Sequence, residues 1–101
     1  MGAQISFEEL VASVAAGRPP AGAGPALLAL WHDARGEWDR AHKLAQSAAG
    51  RDGDWVHAYL HRKAGDVANA GYWYVRAGRP AATVELAVEW EAIVRELVER
   101  S

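Results

Sequence analysis

Apolar residues along this chain return at spacings of three and four, the rhythm of one helical face, and almost nowhere at the spacing of two that a strand requires. Leu10, Val11 and Val14 make a first short stripe, and Leu27, Leu30, Trp31 and Ala34 a second. Trp38, Ala41, Ala45 and Ala48 make a third, Val56, Tyr59 and Leu60 a fourth, and Leu86, Trp90, Ile93, Val94 and Leu97 a broader last one. The pattern predicts an all-α fold of about six helices in one domain. Ser6-Phe7-Glu8-Glu9 has the form of a capping box, with Ile5 and Leu10 placed as a hydrophobic staple, so a helix should start there and stop by Gly17. Residues 18–25, with three prolines and two glycines, read as a linker. Two helical hairpins are then expected over 26–49 and 54–78, turning at Gly36 and Gly65, with Gly50-Arg51-Asp52-Gly53 as a tight connection and Asp54 capping the helix after it. Gly78-Arg79-Pro80 should end the second hairpin, and Thr83 should cap an amphipathic C-terminal helix over 83–100.

The two hairpins echo one another at an offset of 29 residues, which superposes Ala29 on Ala58, His32 on His61, Gly36 on Gly65, Ala41 on Ala70 and Ala48 on Ala77. An acid follows each paired glycine, Glu37 in one copy and Asp66 in the other. Gly36-Glu37-Trp38-Asp39-Arg40-Ala41 and Gly65-Asp66-Val67-Ala68-Asn69-Ala70 resemble the turn and second helix of a tetratricopeptide repeat. The resemblance covers about half the chain. It departs from that family in its shorter period and in first helices that lack the family's tryptophan, leucine and glycine pattern. His57 and His61, with His32 in the other copy, stand where the family carries a packed leucine and a packed tyrosine. The strings LWHDARGEWDRAHKLAQ, WVHAYLHRKAGD and NAGYWYVRAGRP are also similar to a group of short bacterial proteins, a resemblance that brings no activity with it.

The tetratricopeptide resemblance implies a concave groove lined by the first helix of each pair. The matching positions are Ala26, Leu30 and Asp33 in one copy and Trp55, Tyr59 and Arg62 in the other. Arg62 would offer a planar fork to a carboxylate, and Trp55 and Tyr59 stacking faces for a peptide or small polar ligand. The alternative places Trp55 and Tyr59 in the core and pairs Arg62 with Asp33 between hairpins. Tyr72-Trp73-Tyr74 spans about 200° of a helix, so at least one of these rings must face away from the core.

Composition narrows the partners. Eleven basic and 13 acidic side chains, for a formal charge of −2, and no basic cluster give no reason to expect nucleic acid or an anionic membrane. There is no cysteine, hence no disulfide framework and no thiolate chemistry. No apolar run approaches a membrane span, and the N-terminus lacks the character of a signal peptide, so a cytoplasmic protein is expected. Two repeats are fewer than a solenoid usually needs to bury a continuous core. We therefore expect the C-terminal helix to pack on the second hairpin, and leftover apolar surface to support a homodimer.

The histidines are the remaining chemistry. His57 and His61 are four residues apart, so both rings project from one helical face, as two metal-ligating imidazoles require. His32 and His42 would complete a four-ligand set if the hairpins stack. Against a metal stand the missing glutamate of a His-Glu-x-x-His motif, whose place Ala58 and Tyr59 occupy, and the lack of cysteine. The expectation from sequence is accordingly no metal and no cofactor, with each histidine hydrogen-bonded across a helix pair. No catalytic serine pattern and no phosphate loop are present, which leaves His57 or His61 as general base, with Arg62 as electrostatic partner, for any enzymatic role. The function expected is a protein-interaction or small-ligand-binding module using Trp55, Tyr59, Arg62, Asp33, His32, His42, His57 and His61. The alternative is a metal-binding or acid-base protein built on the histidine cluster.

Overall fold

A computed structural model describes residues 5–100 and contains six helices and, among the described residues, no strand. They are α1 (Phe7–Ala16), α2 (Pro25–Ala34), α3 (Trp38–Ser47), α4 (Gly50–Lys63), α5 (Val67–Ala77) and α6 (Leu86–Glu99). The all-α expectation holds. The capping box forms as its sequence requires. Ser6 Oγ accepts from the Glu9 amide at 3.0 Å, and the Ser6 amide donates to Glu9 Oε1 at 3.1 Å. Ile5 and Leu10 are both buried beside it. Gly36 and Gly65 turn their hairpins with φ of +79° and +85°, the left-handed region that side chains avoid.

Helix α4 runs through the middle of the molecule and touches α2, α3, α5 and α6. Its Val56, Ala58 and Leu60 are wholly buried, as are Ala29, Leu30 and Ala41 on the first hairpin and Ile93 and Val94 on α6. Alanine at the α3 face, Ala41 and Ala45, is what lets α3 come close against its neighbours. The C-terminal helix does cover the second hairpin, through α4, but it lies against α2 and α1 as well. Trp90 Nε1 on α6 donates to the Leu30 carbonyl of α2 at 3.0 Å, tying the last helix to the first hairpin.

Two boundaries differ from the sequence expectation. Residues 50–53 are the first turn of α4 and not a separate connection, and Asp54 sits inside the helix, 3.7 Å from Arg76, instead of capping it. Gly53 belongs there because the chain doubles back on it. A Cβ at this position would lie 2.8 Å from Ala48 Cβ and closer still to the Ala48 carbonyl oxygen. Thr83 is likewise not a cap. Glu85 is the N-cap of α6, and the stretch before it is held by Arg62, whose guanidinium donates to the Val84 carbonyl.

Candidate functional site: a three-histidine cluster between α3 and α4

Because α4 completes a turn every 3.6 residues, His57 and His61 emerge on one face and Tyr59 and Lys63 on another, about 200° round the helix from His57 to Tyr59. The candidates on α4 therefore separate into two places.

On the first face, α3 supplies His42 opposite His57 and His61. The three rings converge, with one ligand-capable atom from each lying within 4.8 Å of the others. His42 Nε2 and His57 Nε2 are 2.9 Å apart, and the His57 and His61 rings stack with centroids 4.8 Å apart. His42 meets His61 edge to face at 5.1 Å. Two indoles flank the group. Trp38, on α3 one turn before His42, stacks on it at 4.9 Å with its plane only 9° off parallel, and is itself fixed by Nε1 donating to the Leu60 carbonyl at 3.0 Å. Trp73 on α5 stacks on His57 at 3.9 Å. Of Tyr72-Trp73-Tyr74, Tyr72 is the one that faces out, Tyr74 is buried, and Trp73 closes the flank of the cluster.

The electrostatics favour the neutral form of His57 and His42. His57 is 4% exposed, and burial, then its histidine neighbours His42 and His61, push its pKa down to about 4. Burial and His61 also lower His42, opposed by the negative charge of Asp39. Neutral imidazole is the form that accepts hydrogen bonds and binds metals.

Behind His61 stands Asp66, the N-cap of α5. Its Oδ1 accepts from the Asn69 amide at 3.3 Å and its Oδ2 from Asn69 Nδ2 at 3.1 Å, while Oδ2 lies 3.8 Å from His61 Nδ1. The repeat explains this placement. His32 makes the equivalent approach to Glu37 across the Gly36 turn, Nδ1 to Oε1 2.6 Å, and the hydrogen bond from His32 lowers the Glu37 pKa. His32 stays with Glu37 and the edge of Trp31 and does not join the cluster. The four-ligand set imagined from sequence is thus a set of three.

On the second face, Tyr59 is 2% exposed and donates to Asp33 Oδ2 at 3.0 Å, with Lys63 Nζ on the other carboxylate oxygen at 2.9 Å. Burial, then the Asp33 charge, raises the Tyr59 pKa far above its ordinary value. Arg62 pairs not with Asp33 but with Glu89 Oε1 of α6 at 2.7 Å, and Tyr74 donates to the same carboxylate. Trp55 is 8% exposed with the Arg79 guanidinium 3.8 Å above its ring. Trp55 and Tyr59 are therefore buried and not free stacking faces, although Tyr59, with Asp33, Lys63, Leu86 and Trp90, still borders a pocket between α2, α4 and α6. Arg79 covers the Trp55 ring, Asp33 of α2 takes the Tyr59 hydroxyl, and α6 lays Glu89, itself 4% exposed, against Arg62.

Sequence reasoning assigned Trp38 only to a core stripe, missed Asp66 and Asn69 as supports, and missed Lys63 as the partner of Asp33. The signal for Asp66 was available, since the echo pairs it with Glu37 and His61 with His32. Comparison of the chain with protein-family models, with curated proteins and with solved structures finds no match in any of the three. No helix among the described residues is long and apolar enough to cross a membrane.

Proposed function

We propose that this protein binds a transition-metal dication of the zinc type through His42, His57 and His61. The observation that carries the proposal is the convergence of three imidazoles from two helices, with ligand atoms within 4.8 Å of one another. Metal–nitrogen bonds of about 2.0–2.1 Å in a tetrahedral site set nitrogens about 3.3 Å apart, a separation between the 2.9 Å of the His42–His57 pair and the 4.8 Å that bounds the cluster. The short His42–His57 contact requires a shared proton, and a metal takes that proton's place. An all-imidazole donor set suits zinc, copper or nickel and not magnesium or calcium. Asp66 supports the same reading, because a carboxylate behind Nδ1 of His61 favours the tautomer that leaves Nε2 free. The sequence speaks against a metal through its missing glutamate and cysteine; the third imidazole, delivered by α3, reverses that balance.

The test is calorimetric titration of zinc into metal-free protein. One site per chain is expected, with a rise in melting temperature that grows with free zinc, and stabilisation of about 2.7 kcal/mol at a hundredfold excess over Kd. His57→Ala and His61→Ala should each abolish the gain. No heat and no melting shift with excess zinc would defeat the proposal.

A second reading, the interaction module, draws support from a different place. Val67, Tyr72 and Val75 on α5 are 72%, 55% and 79% exposed, an apolar face with room for a partner or a second copy of the chain. Sedimentation is its test: a mass of one chain at high protein concentration removes the homodimer.

A further inference from the structure

We infer that the metal held by His42, His57 and His61 keeps an open coordination position for an exchangeable water, and that the site is hydrolytic toward small neutral carbonyl compounds such as esters. The inference rests on the metal reading above and deepens it. Among the described residues, no fourth histidine, cysteine, aspartate or glutamate joins the three converging ligand atoms. His32, the remaining histidine, is engaged with Glu37, and Asp66, 3.8 Å from His61 Nδ1, is not among the converging ligand groups. The indoles of Trp38 and Trp73 occupy two flanks without offering a ligand atom, while His42 and His61 retain partial solvent exposure. Three protein ligands plus one solvent position is the composition of a catalytic and not a structural zinc site.

The charge of the donor set favours reactivity. Three neutral imidazoles leave the dication's charge undiminished, and a metal in such a shell brings its bound water to a pKa of about 7. Bound hydroxide attacks the ester carbonyl carbon. The new C–O bond forms with that oxygen, the bond to the alcohol oxygen breaks, the alcohol leaves with a proton from solvent, and a second water refills the position after losing one proton to solvent. Ester and water yield acid and alcohol, with no oxidant or reductant. The indoles flanking the cluster set the character of the substrate. Trp38 and Trp73 suit an uncharged, partly apolar molecule, and the charges around them are of both signs, Asp66 beside His61 and the Arg76 guanidinium 5.2 Å over the Trp73 ring.

The experiment uses the full chain loaded with Co(II), whose visible spectrum reports its ligands, and in parallel with Zn(II). Azide should change the Co(II) spectrum saturably, and the zinc-loaded protein should hydrolyse 4-nitrophenyl acetate at least about tenfold faster than the metal-free protein, with azide inhibiting at the concentration that perturbs cobalt. His42→Gln, checked for helicity, should lose both responses. If Co(II) binds with one site per chain but azide leaves the spectrum unchanged and no hydrolysis is gained, the open position is disproved while the metal site stands. If Co(II) and Zn(II) do not bind at all, both proposals fall together.

Discussion

The Nε2 atoms of His42 and His57 lie 2.9 Å apart across the α3–α4 contact, close enough that one must carry a proton and the other must not. A hydrogen bond of this kind survives only while at least one ring is neutral. Trp73 covers the buried His57 ring, which has no easy access to water in which to relieve a second charge, while Trp38 covers one face of the partly exposed His42 ring.

A pH dependence of stability follows for the metal-free protein. His57 has an ordinary pKa of 6.5 in the unfolded chain and about 4 in the folded one. Between these values the unfolded state binds the proton and the folded state does not, so stability is full above about 6.5 and falls as the pH drops toward 4. The loss is on the order of 3 kcal/mol at its largest. His42, lowered in the same direction, adds to it. Urea unfolding in the presence of a chelator, repeated across this range, should show the decline, and His57→Gln should flatten it. A flat profile for the parent protein would mean that the rings are solvated and charge freely.

The carboxylate of Glu89 offers a second prediction. It is 4% exposed and held by Arg62 at 2.7 Å and by the Tyr74 hydroxyl. Removing the guanidinium leaves a buried charge with one neutral donor, so Arg62→Met should destabilise by about 3 kcal/mol. Glu89→Gln should cost less, about 1 kcal/mol, because it keeps a polar partner for Tyr74 and strands only the partly exposed Arg62. Denaturant midpoints of the two variants and of Arg62→Met/Glu89→Met would rank them, with the double variant less destabilised than Arg62→Met alone. Equal losses in the two single variants would show that the pair is not desolvated as its burial indicates.

The helices were legible because their determinants are local: stripes at three and four, a capping box at Ser6, and glycines at 36 and 65 whose left-handed conformation no neighbour supplies. The site was only half legible. The spacing of His57 and His61 placed two rings together, but the arrival of His42 depends on how closely α3 lies on α4, which Ala41 and Ala45 permit without announcing. The partners of Asp33 and Arg62 were harder still. Lys63 and Arg62 are adjacent in the chain, and which of them meets Asp33 is fixed by the position of α6, whose Glu89 draws Arg62 away. Trp55 and Tyr59, which a repeat-based reading puts in an open groove, are buried with Arg79 and Asp33 as their partners, contacts that are equally long-range.

The last prediction separates two uses of glycine. At Gly36, with φ +79°, a Cβ would meet nothing within 4 Å, so Gly36→Ala should cost only backbone strain, about 1 kcal/mol. At Gly53 the backbone is ordinary helix, yet a Cβ would press into Ala48 at 2.8 Å from its Cβ and nearer to its carbonyl oxygen. Neither is a flexible side-chain end that can swing aside. Gly53→Ala must therefore move the α3–α4 junction, at a cost of about 2–3 kcal/mol despite the better helix propensity of alanine. The junction also carries His42 toward His57. Gly53→Ala should weaken zinc binding as well as stability, whereas Gly36→Ala should lower stability and leave zinc affinity near that of the parent. Thermal melts with and without zinc distinguish them, and a Gly53→Ala protein as stable as the parent would mean that α3 and α4 are joined less tightly than the Ala48 contact requires.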